Sequence, residues 1–265
     1  MQPYFNAPYD WRPAATSEQL EAAAQALEIT WPDALMSLYE EHDGAGPQRL
    51  ASDWEEQWEG VLDEDEDARP QAPFLMSLEE AAAWYVSTAE LFPADLRFFW
   101  TDDNSNYVGV YVRGPLEGMV CVLGHDGGGL VPVFRTIPSF LDWVDAHPLR
   151  DVFTDGALVP AFPGRAPDPL HDEEDWQRAL SLYQNAEQRE DNPRLACAMA
   201  LTPYGQSSVL LPFLDHPDFY VVARAVEILA QRRYTPAYTL IRELAVQPGN
   251  RSNGAAERAM RTWRP

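Results

Sequence analysis

Between Thr16 and Gly44, apolar residues fall three and four positions apart, the spacing that places them on one side of an α-helix. A first helix beginning at Thr16 or Ser17 carries Leu20, Ala24 and Leu27 on that side. A second is expected in ITWPDALMSLYEEHDG (29–44). Pro32 suits its first turn, where the missing N–H costs nothing, and Leu35, Leu38 and Tyr39 form its stripe. Gly44 offers the left-handed conformation that commonly ends a helix, leaving Glu40, Glu41, His42 and Asp43 as a polar last turn. No second histidine or nucleophile stands nearby, so this is read as a solvated helix end and not as acid–base machinery.

SDWEEQWEGVLDEDEDARP (52–70) shows capping-box spacing at Ser52 and Glu55, with Trp54 and Trp58 one turn apart and Val61 and Leu62 extending the stripe. Nine acidic residues lie from Asp53 to Asp67. Ser77 and Glu80 repeat the capping-box spacing before Leu78, Ala81, Ala82, Trp84 and Tyr85. From Leu96 the period becomes that of strands: LRFFW, YVGVYV, MVCVLGH and LVPVF are separated by TDDNSN, RGPLEG and DGGG. This predicts an antiparallel meander. Val108, Val110 and Val112 alternate with Tyr107 and Tyr111, so one face packs on helices while the other presents aromatics. IPSFLDWV (137–144) then reads as a closing helix with Ser139 near its start.

Prolines 148, 160, 163, 167 and 169 mark a linker over 148–169. It separates an α+β domain (1–147, helices on an antiparallel meander) from an all-α domain (170–265). In the latter, LACAMAL, VARAVEIL and AERAMRTW repeat an apolar helical pattern around Ala198, Ala225 and Ala259, with SVLLPFL and AYTLIRELA between them. Two to three stacked helical hairpins follow, in the manner of HEAT-like repeats.

Charge changes the picture once it is divided along the chain. The formal net charge is −23; residues 1–169 hold 8 arginines and 30 acidic residues, whereas residues 170–265 hold 11 and 12. An acidic first domain repels phosphate backbones and steers basic proteins towards itself. The chain has no lysine. That removes the Walker A lysine and Schiff-base chemistry, which arginine's permanently charged planar group does not replace. Cys121 and Cys197 lack the paired spacing of a zinc or redox site and read as buried small residues in a reducing compartment. MQPYFNAPYDWRP lacks a basic region followed by an apolar run, so a soluble cytoplasmic protein with no membrane partner is expected.

The helix entered through Trp31-Pro32 and continuing as DALMSLYEEHDG, then LFPADLRFFWTDDNSNYVGVYV, GMVCVLGHDGGG and IPSFLDWV, together resemble the SUKH superfamily of immunity proteins over residues 16–145. The resemblance implies an α+β fold without catalytic residues, often encoded in bacteria beside toxins, many of them nucleases, which the immunity protein binds and blocks. Some relatives are scaffolds or regulators. The acidic insertion at 53–67 and the helical module after 170 depart from that pattern.

Function is therefore expected to be binding: a basic protein, such as a nuclease toxin domain, held by the acidic domain, with no cofactor and no direct contact with nucleic acid. The first candidate contacts are Trp54, Trp58, Asp63, Glu64, Asp65, Glu66 and Asp67; the second are Asp102, Asp103, Asn104 and Tyr107 in the first hairpin turn. The alternative is a scaffold whose two modules bridge two partners. Catalysis is the weakest expectation. His42, His125, His147, His171 and His216 are scattered, and DDNSNY fails as a calcium loop because Tyr107 stands where glycine is needed and Arg113 where a bidentate acid is needed. No metal site is expected.

Overall fold

The computed structural model describes residues 9–46, 48–49, 71–125, 130–147, 150, 152–153, 166–186, 192–246 and 253–263. Trp54, Trp58 and the acidic run Asp63–Asp67 lie outside the described residues, as does most of the proline-rich segment. The chain divides into two compact units, Met1–Pro160 and Ala161–Pro265.

In the first unit α1, α3 and α4 begin where polar side chains satisfy leading N–H groups, whereas α2 is entered through Pro32 without a side-chain cap. Before α1 (Ser17–Leu27), Thr16 and Gln19 form a reciprocal capping box, and Ser77 with Glu80 does the same for α3 (Leu78–Thr88). Thr136 and Ser139 repeat the device for α4 (Ile137–Ala146). α1 turns Leu20, Ala23 and Leu27 inward; Ala24, expected on that face, is only half-buried. α2 (Asp33–Glu41) buries Leu35, Leu38 and Tyr39. It stops earlier than the glycine suggested. His42 is already extended (φ −148°) and donates its N–H to Leu38, so Gly44 lies beyond the helix end and serves another purpose.

Among the described residues the main sheet runs β5 (Phe74–Leu75), β6 (Leu96–Thr101), β7 (Tyr107–Tyr111), β8 (Val120–Leu123) and β9 (Pro132–Phe134), antiparallel throughout. Smaller ladders join β1 (Asp10–Trp11) to β2 (Ala45–Gly46) and β3 (Gln48–Arg49) to β4 (Gln71–Ala72). The β6–β7 register places Trp100 opposite Val108 and Phe98 opposite Gly109, with an irregularity between Phe98 and Trp100. That extra residue lets consecutive Phe99 and Trp100 both enter the core with Val108, Val110, Val120 and Phe140. Phe98 faces the other way, into a cluster with Trp84, Phe92 and Tyr107. The aromatic side of β7 is therefore packed by α3 and its following turn. Gly109 makes room for this, since a Cβ there would come 3.0 Å from both Leu96 and Phe98 side-chain carbons.

The second unit is helical: α5 (Asp172–Asn185), α6 (Asn192–Leu201), a 3-10 helix (Tyr204–Asp215), α7 (Phe219–Gln231), α8 (Tyr238–Val246) and α9 (Asn253–Thr262). Consecutive helices pack in pairs, α5 on α6, the 3-10 helix on α7 and α8 on α9, and α7 touches both α6 and α9. Pro212 lies inside the 3-10 segment, within the apolar run SVLLPFL that separates two of the helical repeats. The core gathers Met199, Leu210, Val222, Ala225, Leu229, Ile241 and Ala256. Arg232 is buried among them, its guanidinium donating to the carbonyls of Thr202 and Pro203 and to Ser207 Oγ. No described helix is long and apolar enough to cross a membrane.

Candidate protein-binding surface

The first hairpin turn is built by its own side chains. Asp102 is 8% exposed, and its carboxylate accepts from the N–H of Asn104 (2.8 Å), the N–H of Asn106 (3.2 Å) and the Asn106 amide. Thr101 Oγ1 accepts from the Asp103 N–H and donates to the Asn106 carbonyl. These bonds hold Asp103 and Ser105 in the left-handed region (φ 59° and 66°), a conformation that short polar side chains tolerate. Asp103 and Asn104 are thus lifted into solvent, Asp102 supports the turn from within, and Tyr107 leans its ring on Trp84 at 4.6 Å.

The polar ending of α2 ties helices together. His42 stacks on Trp11 (4.6 Å, 19°), and Asp43 Oδ1 accepts the Leu78 N–H at 2.8 Å, adding a second acceptor to the Ser77 cap of α3. Gly44 (φ 94°) runs so close to α3 that a Cβ would lie 2.9 Å from the Ser77 nitrogen. Arg12 Nη2 reaches Glu80 Oε1 at 3.2 Å. Burial alone would raise the Glu80 carboxyl, but the Ser77 backbone and hydroxyl and Arg12 outweigh it and hold Glu80 below the ordinary range.

α1 and α3 pack against each other. Asp43 and Arg12 hold the start of α3, and Asp43 also donates its N–H to the Pro13 carbonyl in the segment that leads into α1. Arg97 links the end of α1 to α3: it is 2% exposed, donates Nε to the Leu27 carbonyl at 2.8 Å and holds its guanidinium 3.8 Å from the Tyr85 ring centre. Burial lowers the Arg97 pKa, yet carbonyls of Ala94 and Leu96 complete its bonding on Nη1. Between the helices lies an open groove of about 670 Å³. Ala22, Ala23, Ala26 and Ala82 form its walls, and Arg12, Gln19, Asp43 and Glu79 stand at its polar end. Nothing in the sequence marks this groove, because some fifty residues separate its two helices and an alanine does not show what will stand across from it.

The five histidines are not brought together. His147 stacks on Trp143 and His171 meets Asp168 at 2.8 Å, while the His125 N–H donates to Asn106. Among the described residues no group of three or more His, Cys, Asp or Glu is placed to hold a metal ion. Both cysteines are buried.

No curated protein matches the chain. Residues 14–145 match the model of the SMI1 / KNR4 family (SUKH-1), a span that takes in α1, α2, α3, the five-stranded sheet and nearly all of α4. The α+β unit of this chain is therefore a SUKH superfamily domain.

Proposed function

We propose that this protein is a non-catalytic binding module of the immunity type, whose acidic SUKH domain captures a basic protein, such as a nuclease toxin domain, in the cytoplasm and covers its active site. The observation that carries this reading is the surplus of 30 acidic residues over 8 arginines in residues 1–169, the part of the chain that holds the family match. Such a surface raises encounter rates with cations and discourages nucleic acid. Exposed Asp103 and Asn104 on a turn fixed from inside fit a contact role, with Trp54, Trp58 and Asp63–Asp67 completing the proposed surface.

The test immobilises the full chain and measures association with a basic nuclease domain while salt is raised from about 50 to about 500 mM. The rate constant is expected to fall at least about tenfold, with nuclease activity lost in the complex. A salt-independent rate, or a nuclease that stays active when bound, overturns the proposal.

A second reading is a scaffold that bridges two partners. It is favoured by a helical unit with its own core and near-balanced charge, exposing Tyr220 (69%) and Leu240 (42%). HEAT-like stacking of the helical pairs belongs to this reading. Hydrogen-exchange footprints of the complex separate the two: protection confined to residues 9–147 favours immunity, and protection extending into 192–263 favours bridging.

A further inference from the structure

The groove between α1 and α3 is an opening whose walls and end differ in chemistry. Ala22 and Ala26 are exposed and Ala82 is half-buried, so short side chains leave a slot that longer ones would close. At the polar end, Asp43 gives one carboxylate oxygen to the Leu78 N–H, Glu80 is taken by Ser77 and Arg12, and the exposed Glu79 carboxylate lines the slot without a hydrogen bond or ion pair to any described residue. Each of the two helix N-termini contributes about half a positive charge here. Three carboxylates less one guanidinium outweigh that and leave the end net negative. Three of the leading N–H groups of α3 are already bonded, Leu78 to Asp43, Ser77 to the Glu80 carboxylate and Glu80 to the Ser77 hydroxyl.

From this we infer that the α1–α3 groove seats an arginine side chain, or a short row of them, on a helix of a basic protein partner. The alkyl stem lies along Ala22, Ala26 and Ala82, and the guanidinium meets Glu79 and the Asp43 oxygen that takes no hydrogen bond from a described residue. Alanine walls allow the backbone of a third helix to approach closely. This inference rests on the binding role proposed above and names where and by what chemistry that role is carried out.

The experiment uses the full chain and a fluorescein-labelled, alanine-based helical peptide with arginine at every fourth position, beside the same peptide with neutral citrulline for arginine. Affinities are read by anisotropy for the wild type, Glu79→Arg, Ala22→Trp and Asp142→Arg, the last changing charge equally on the exposed face of α4. The arginine peptide is expected to bind and the citrulline peptide not. Glu79→Arg and Ala22→Trp should each weaken binding at least about fivefold, and Asp142→Arg less than about twofold. Equal losses from Glu79→Arg and Asp142→Arg, with none from Ala22→Trp, overturn the groove and leave a general electrostatic attraction standing. Indifference of the wild type to arginine against citrulline removes both. If Glu79→Arg alters the fold by circular dichroism, Ala22→Trp still decides, because it adds no charge at an exposed position.

Discussion

The two units solve one packing problem with opposite materials. The SUKH domain brings strands and helices from distant parts of the chain onto a mixed core, whereas the helical unit pairs neighbours in sequence. One carries nearly the whole negative charge, and the other is close to neutral. Both nevertheless bury one arginine against backbone carbonyls near the end of a helix: Arg97 at Leu27, and Arg232 at Thr202 and Pro203 just beyond α6. The negative end of a helix thus takes the place of a carboxylate in an acidic domain and in a balanced one. Among the described residues neither buried arginine has an acidic side chain in ion-pair contact.

The largest effect that tests this parallel comes from removing each guanidinium. Arg97→Ala and Arg232→Ala each orphan several buried carbonyls and leave a cavity, with an expected loss of about 3 kcal/mol in the affected unit. Urea unfolding followed by hydrogen exchange, which reports the units separately, measures it. Burial pushes Arg232 down to about 10, so part of each loss is offset by relief from holding a charge away from water. Replacement by methionine is accordingly expected to cost less than replacement by alanine.

Gly44→Ala should rank next. Its positive φ and the 2.9 Å approach to the Ser77 nitrogen require the chain to shift or α3 to move, at about 2 kcal/mol by thermal unfolding. The matched control in the helical unit is Gly205→Ala, whose Cβ would meet nothing within 4 Å and should change stability by less than about 0.5 kcal/mol.

The smallest effect is pH-dependent and confined to the SUKH domain. Glu80 has its pKa depressed on folding, so its contribution is fully present above the unfolded value and disappears as pH falls through the lower folded value. Its side chain is 44% exposed, which limits the contribution to under about 1 kcal/mol. Acid titration of Glu80→Gln should show a shallower loss of SUKH-domain stability below about pH 4.5 than the wild type shows. An unchanged acid slope would detach Glu80 from the cap.

Much of the fold was legible in the residues because its signals are local. Ser77 with Glu80, and the alternation in YVGVYV, each express an interaction between near neighbours in the chain. What escaped depends on distant partners. β5 has only two residues and becomes a strand because Phe74 and Leu75 meet Thr101 and Trp100. The paired bonds that make Asp102 a support and Asp103 a projection both arise within a turn whose polar composition looks uniform. Gly44 looked like a helix stop, and its reason is the passage of α3 beside it. The groove was invisible for the same cause, since alanine carries no hint of what stands across from it.

The brevity of β5 has one more consequence. It pairs with only the Trp100–Thr101 end of β6, and α3 lies beside the remainder, with Tyr85 reaching Arg97 and Trp84 reaching Phe98 on opposite sides of the strand. The flank is thus occupied by helix side chains, and an added ribbon there would have to displace them. The proposed capture of a basic partner would have to use side chains on this flank, so that shape and not charge alone would choose among cations.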